Sequence, residues 1–107
     1  MADDLPALRL DPEGYLIDPA DWSEAVALAL AAKETIVLTD EHWAAIRFMR
    51  AWLDEHRTAP DSRHVIKHLT KTLGATRNRL FELFPYGYVQ QACKIAGMKR
   101  PRAWSSG

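Results

Sequence analysis

The segment from Thr39 to Arg57 constrains the fold of this chain most, because helix signals at both ends enclose a run of large apolar residues. Thr39 is a favourable N-cap, and Asp40 and Glu41 suit the positive end of a helix dipole. Apolar residues recur at helical spacing and predict a core stripe. Its predicted members are Trp43, Ile46, the Arg50 stem and Leu53, with Phe48 and Trp52 in a second contact. This helix is therefore expected at the centre of the fold.

Caps, prolines and glycines predict further helices on either side of this segment. Asp18 followed by Pro19 indicates the start of a helix whose alanine-rich run continues through Lys33. Its predicted apolar face comprises Trp22, Ala25, Val26, Ala29 and Leu30. A later helix is predicted with Asp61 or Ser62 as its cap and Gly74 just past its end. Its predicted inward residues are Val65, Ile66, Leu69 and Leu73. A short helix, Arg77 to Phe84, is expected to follow it.

Two short alternating apolar runs near the N-terminus predict a small β-hairpin. These runs, Leu8–Leu10 and Tyr15–Ile17, flank Asp11–Gly14, which has Asp, Pro and Gly where a type I turn prefers them. With the helices, this predicts a mainly α domain: an orthogonal helical bundle with a helix-turn-helix-like core and an N-terminal β-hairpin. The predicted domain spans residues 1–97, and residues 98–107 are predicted to form a flexible basic C-terminal tail.

The last predicted helix carries the single cysteine of the chain. After a turn at Pro85–Gly87, this helix places Val89, Ala92, Cys93 and Ala96 on one face, and Gly97 ends it. Cys93 has two open interpretations. Nearby basic residues favour a reactive thiolate, whereas its apolar face favours a buried packing residue. The basic residues in question are Lys94, Lys99, Arg100 and Arg102.

One cysteine cannot form an intramolecular disulfide, and no apolar run approaches the length of a membrane span. We therefore expect a soluble protein of a reducing compartment, with the cytoplasm as the default location. The absence of a triad, phosphate loop or metal motif gives no indication of a stand-alone enzyme, and no cofactor is implied.

The charges are split between the two halves of the chain. Residues 1–61 carry 13 acidic and 5 basic residues, whereas residues 62–107 carry 1 and 9. The halves can neutralise each other on folding, or the basic part can face an acidic partner or nucleic acid. Within it, Arg63, Lys67 and Lys71 recur at helical spacing, a pattern that suits either phosphate and DNA contacts or a solvated face.

Histidines offer weaker signals. His64 and His68 have the spacing of two metal ligands on one helix face, but no third ligand is evident and the surrounding cations would repel a metal ion. No metal site is therefore predicted. His42 precedes Trp43 without a serine or cysteine nucleophile at an identifiable spacing, so we interpret it as structural.

Residues along nearly the whole chain form a recognisable series. In order they are Glu13-Gly14-Tyr15-Leu16, Trp22, Glu41-His42-Trp43 with Arg47, Phe48 and Arg50, then Leu83-Phe84-Pro85-x-Gly87 and Gln91-Ala92-Cys93-Lys94-Ile95-Ala96-Gly97. This series resembles the DsrC/TusE family of sulfur-relay proteins. The resemblance aligns Cys93 with the upstream cysteine of the DsrC pair. It places Trp104 where sulfur-carrying members have their next-to-last cysteine, and Tyr88 and Gln90 where they have proline and lysine.

The resemblance implies a persulfide carrier of sulfur metabolism or tRNA thiolation, acting with sulfur-relay or sulfite-reductase-type proteins. Such a carrier would be atypical, because Cys93 is the one residue able to bear sulfur. The alternative is a non-carrier regulatory or binding member of the same fold, which docks to protein or DNA through its basic helix. We expect a monomer or weak dimer that does not bind membranes.

Overall fold

A computed structural model describes residues 9–99 and shows a mainly helical chain, as the sequence predicts. Its α-helices are α1 (Glu24–Lys33), α2 (Asp40–His56), α3 (Ser62–Leu73), α4 (Arg79–Leu83) and α5 (Cys93–Ile95). A 3₁₀ turn at Pro19–Asp21 precedes α1, and a π-helical turn at Tyr88–Ala92 leads directly into α5. Within the described range, no helix is both long and apolar enough to cross a bilayer.

The N-terminal segment forms a turn closed by one antiparallel bridge between Leu10 and Leu16. The Asp11 carboxylate accepts hydrogen bonds from the backbone N–H groups of Glu13 and Tyr15, each at 2.9 Å. Residues 9–99 contain no extended β-strand, so the predicted hairpin is not confirmed. The flanking runs are only three residues long, and Leu8 lies outside the described residues. This part of the chain is better described as a turn fixed by Asp11.

The predicted helix from Asp18 to Lys33 is wrong as a continuous element. Asp18 caps only the 3₁₀ turn, and Trp22 is extended. Ser23 then starts α1, because its hydroxyl accepts a hydrogen bond from the Val26 N–H at 3.2 Å. Because α1 begins only after Ser23, its buried face differs from the one predicted for a continuous helix. Its buried residues are Val26, Ala27, Leu30 and Ala31, whereas Ala25 is exposed.

Helix α2 begins after Thr39, as predicted, and ends at Arg57 in a left-handed conformation with φ of +62°. Its fully buried residues are His42, Ala45, Ile46 and Met49. Ile46 was predicted correctly, while Trp43 and Leu53 are only partly buried. His42 is structural, as predicted: its Nδ1 accepts from the Thr39 N–H, and its Nε2 lies 2.9 Å from the Leu83 carbonyl oxygen. Burial lowers the pKa of His42, which favours the neutral ring.

Helix α3 has the predicted boundaries, with Asp61 as its N-cap and Gly74 as its left-handed C-cap. Val65 and Leu69 point into the core, but Leu73 is half exposed, so its predicted inward orientation is wrong. Helix α4 is shorter than predicted, because it spans Arg79–Leu83 and not Arg77 to Phe84. Helices α2, α3 and α4 pack against one another, and α1 packs against α5. The likeness to a helix-turn-helix remains a prediction.

Candidate functional site

Cys93 lies at the start of α5, and its side chain is completely buried. The preceding π-helical turn contributes Tyr88, also completely buried, whose side chain lies beside the thiol. The Tyr88 hydroxyl donates its proton to the carbonyl oxygen of Pro60, in the turn between α2 and α3. The thiol is therefore enclosed by its own helix and by a tyrosine tied to a distant turn.

Burial raises the pKa of the Cys93 thiol to about 12, and the neighbouring Tyr88 side chain offsets this rise only partly. An uncharged thiol is the stable form in an apolar environment, because the thiolate loses its hydration there. At neutral pH the thiolate fraction is then on the order of 10⁻⁵. Nucleophilic chemistry at Cys93 consequently requires a conformation in which the thiol is hydrated or faces a cation.

A clamp formed by Trp22, Arg50 and Gly97 holds the C-terminal end of α5. The Trp22 Nε1–H donates to the Ile95 carbonyl oxygen at 3.0 Å. Arg50 donates to the Ala96 carbonyl oxygen at 3.1 Å, and its guanidinium carbon lies 4.6 Å from the centre of the Trp22 ring. These two side chains satisfy carbonyl groups that a helix end leaves without intrahelical partners. The clamp thus fixes the backbone at the C-terminal end of α5.

A polar cleft of about 210 Å³ lies on the side of α5 that carries Lys94. The Lys94 Nζ is 3.9 Å from the Glu34 carboxylate and 5.2 Å from the centre of the Tyr15 ring. Glu34 also accepts a hydrogen bond from the Gln91 side chain at 3.1 Å. Lys94 is therefore engaged in the cleft by a carboxylate and an aromatic ring.

The structure distributes the predicted basic residues rather than gathering them around Cys93. Arg63, Lys67 and Lys71 are exposed on α3, Lys94 lines the cleft, and Lys99 is exposed. Arg100 and Arg102 lie outside the described residues, as does Trp104. The role of these residues in partner or anion binding remains a prediction.

The two histidines of α3 contact aromatic rings of α2: His68 is stacked on Phe48, and His64 is tilted against Trp52. His68 lies 4.4 Å from Phe48 and His64 lies 4.4 Å from Trp52, measured between ring centres. Among residues 9–99, no group of three or more His, Cys, Asp or Glu side chains is arranged to hold a metal ion. The i, i+4 spacing of these histidines therefore serves ring stacking between α2 and α3.

Over residues 9–99 the chain is mainly helical, with a buried cysteine on α5 and a clamp at the C-terminal end of that helix. The sequence pattern of the family described as "DsrC like protein" matches residues 5–103. The chain belongs to this DsrC/TusE family.

Solved structures and curated sequences give the same assignment. The chain superposes on the oxidised gamma-subunit of dissimilatory sulfite reductase (DsrC) from Archaeoglobus fulgidus with a TM-score of 0.84, at 38% identity over 91% of each chain. The corresponding TM-score for DsrC from Allochromatium vinosum is 0.78, also at 38% identity, over 91% of this chain and 89% of that one. Sulfurtransferase TusE from Photorhabdus laumondii is 41% identical over 97 residues, which cover 88% of this chain and 87% of the relative.

Proposed function

We propose that this protein is a sulfur-relay carrier of the DsrC/TusE type and that Cys93 bears the transferred sulfur. The observation that carries the proposal is family membership over nearly the whole chain, combined with the presence of one cysteine. The relatives named above include a sulfurtransferase and a subunit of a dissimilatory sulfite reductase, so proteins of these two systems are the proposed partners.

The proposed reaction is persulfide exchange. The Cys93 thiolate attacks the outer sulfur of a donor persulfide, a new S–S bond forms at Cys93, and the S–S bond of the donor breaks. The donor leaves as a thiolate and takes up the proton that Cys93 released, so atoms and electrons balance. Transfer to an acceptor thiol repeats this step in the opposite direction.

Loading requires Cys93 to become accessible, because the thiol is fully buried. The π-helical turn Tyr88–Ala92 offers the means: the Ala92 N–H reaches back to the Gly87 carbonyl oxygen at 3.4 Å, a long hydrogen bond. Such turns are rare and occur frequently at functional sites. We infer that local opening of this turn, with release of Tyr88 from Pro60, hydrates the thiol and permits exchange.

The alternative of a non-carrier regulatory member is not favoured, because TusE relatives named as sulfurtransferases match most of the chain at above 40% identity. A carrier does not need the catalytic constellation of a stand-alone enzyme. It needs one thiol that can be exposed and a surface that partners recognise.

The proposal predicts that incubation with inorganic polysulfide adds one sulfur atom to the native protein, at Cys93. Intact-protein mass spectrometry measures the product, and Cys93→Ser is expected to abolish it. The variant Trp104→Cys serves as the positive control, since it supplies a thiol at the position that sulfur-carrying relatives use. If the control loads while the natural chain stays unmodified after prolonged incubation, Cys93 is a packing residue and carriage by this site is wrong.

A further inference from the structure

Five rings of α2 and α3 contact one another, and we call this set the ring face. Its members are Phe48, Trp52, His56, His64 and His68. Trp52 contacts two imidazole rings, with His56 at 4.1 Å and His64 at 4.4 Å between ring centres. The rings of Phe48 and His68 are nearly parallel, with an interplanar angle of 19°. His64 itself is exposed, so its outer surface is available to another planar group.

A row of cations runs beside the ring face along α3. Arg63 and Lys67 directly precede His64 and His68, and Lys71 follows His68 by about one helical turn. The cations and the histidines therefore form adjacent rows on the helix. Arg63 is paired with Asp61 at 2.9 Å. Lys67 and Lys71 are exposed and make no ion pair with any residue from 9 to 99. Repulsion between like charges one turn apart is relieved when an anion binds between them.

We propose that the ring face and its cation row bind RNA through unpaired bases. Planar bases stack on aromatic and imidazole rings, and phosphates pair with lysine ammonium groups. The spacing of the two rows on one helix presents both kinds of contact to the same short length of strand. This site lies apart from Cys93 in the sequence and uses different chemistry, so it goes beyond the proposed sulfur carriage and is tested independently of it.

Unpaired RNA fits this surface better than a duplex does. In a duplex, the flat surfaces of the bases are stacked on each other and cannot stack on the side chains of the ring face. In RNA loops, bases turn outward and commonly stack on aromatic side chains. The positive charges of the cation row alone would suit any polyanion. The ring face adds stacking, which only an exposed base can provide.

Fluorescence anisotropy with a labelled RNA hairpin that has an unpaired loop tests the proposal. His64→Ala is expected to weaken binding roughly five- to hundredfold, the range measured when a stacking residue is removed. Lys67→Ala with Lys71→Ala is expected to reduce the slope of log affinity against log salt by about 1.4, or about 0.7 for each phosphate that is no longer neutralised. Both changes are on the surface, so folding should be retained.

Matched controls lie elsewhere on the chain. Lys33→Ala with Arg77→Ala removes the same two charges from exposed positions, and Tyr86→Ala removes an exposed ring. Both controls are expected to bind the hairpin as the natural protein does. The proposal is overturned if no binding is seen at low salt, if the controls lose as much affinity as the test variants, or if fully paired RNA or duplex DNA binds as tightly as the loop.

Discussion

Replacing Gly97 with alanine is expected to lower the free energy of unfolding by roughly 2–4 kcal/mol. Gly97 has a φ of +75°, and a Cβ atom there would lie 2.3 Å from Trp22 Cδ1. The indole cannot easily withdraw, because its N–H donates to the Ile95 carbonyl oxygen and Arg50 lies on its ring. Alanine therefore combines backbone strain with a collision that breaks the clamp on α5.

Gly74→Ala provides the matched control for this prediction. Gly74 is also left-handed, with φ of +67°, but a Cβ atom at this position would have no neighbouring atom within 4 Å. Alanine at position 74 therefore adds only the backbone strain of the left-handed conformation, which lowers the free energy of unfolding by about 1 kcal/mol. Urea unfolding followed by circular dichroism measures both variants. Equal losses would mean that Trp22 moves aside at no cost and that the clamp is weaker than its contacts indicate.

Local signals explain why much of the fold could be predicted. Thr39, Asp61 and Gly74 act through the backbone groups of their own helix ends, so their effect does not depend on the rest of the chain. The division before α1 was missed for the opposite reason. Trp22 takes an extended conformation in which its side chain reaches the end of α5, a contact across 73 sequence positions. No local pattern reports such a contact.

The candidate site could likewise be predicted from the sequence only in part. Helical spacing correctly placed Val89, Ala92, Cys93 and Ala96 on one buried face, although Tyr88–Ala92 adopts a π-helical turn. Spacing could not show that Tyr88 reaches Pro60, nor that Arg50 binds the Ala96 carbonyl group. The ring face was missed because its members come from two helices that meet only after folding. The available signal was a shared spacing: His64 and His68 are four residues apart, and so are Phe48 and Trp52.

The side chain of Tyr88 closes the surroundings of Cys93. Its ring fills space next to the thiol, and its hydroxyl reaches the turn between α2 and α3. We expect the accessibility of Cys93 to depend on Tyr88, and that dependence can be measured.

Tyr88→Ala is expected to raise the rate at which iodoacetamide alkylates native Cys93 by at least tenfold, because it replaces the buried ring beside the thiol with a cavity and loosens the π-helical turn. It should also cost roughly 3–5 kcal/mol of unfolding free energy, as for other large aromatic deletions in a core. Tyr88→Phe keeps the ring and removes only the hydroxyl that binds Pro60, so its alkylation rate is expected to lie between those of the natural protein and Tyr88→Ala. Alkylation reports on one position, since the chain has one cysteine.

A destabilised protein also reacts through global unfolding, so the control must lose similar stability without opening this site. Leu69→Ala removes a buried side chain of α3 and is suited to that purpose. Alkylation through global unfolding accelerates with low concentrations of urea, whereas alkylation through a local opening is nearly independent of them. Tyr88→Ala is expected to show the urea-independent behaviour, and Leu69→Ala the urea-dependent one. If both variants react at the same rate at matched stability, Tyr88 is not the residue that shields Cys93, and sulfur loading by opening of the π-helical turn is wrong.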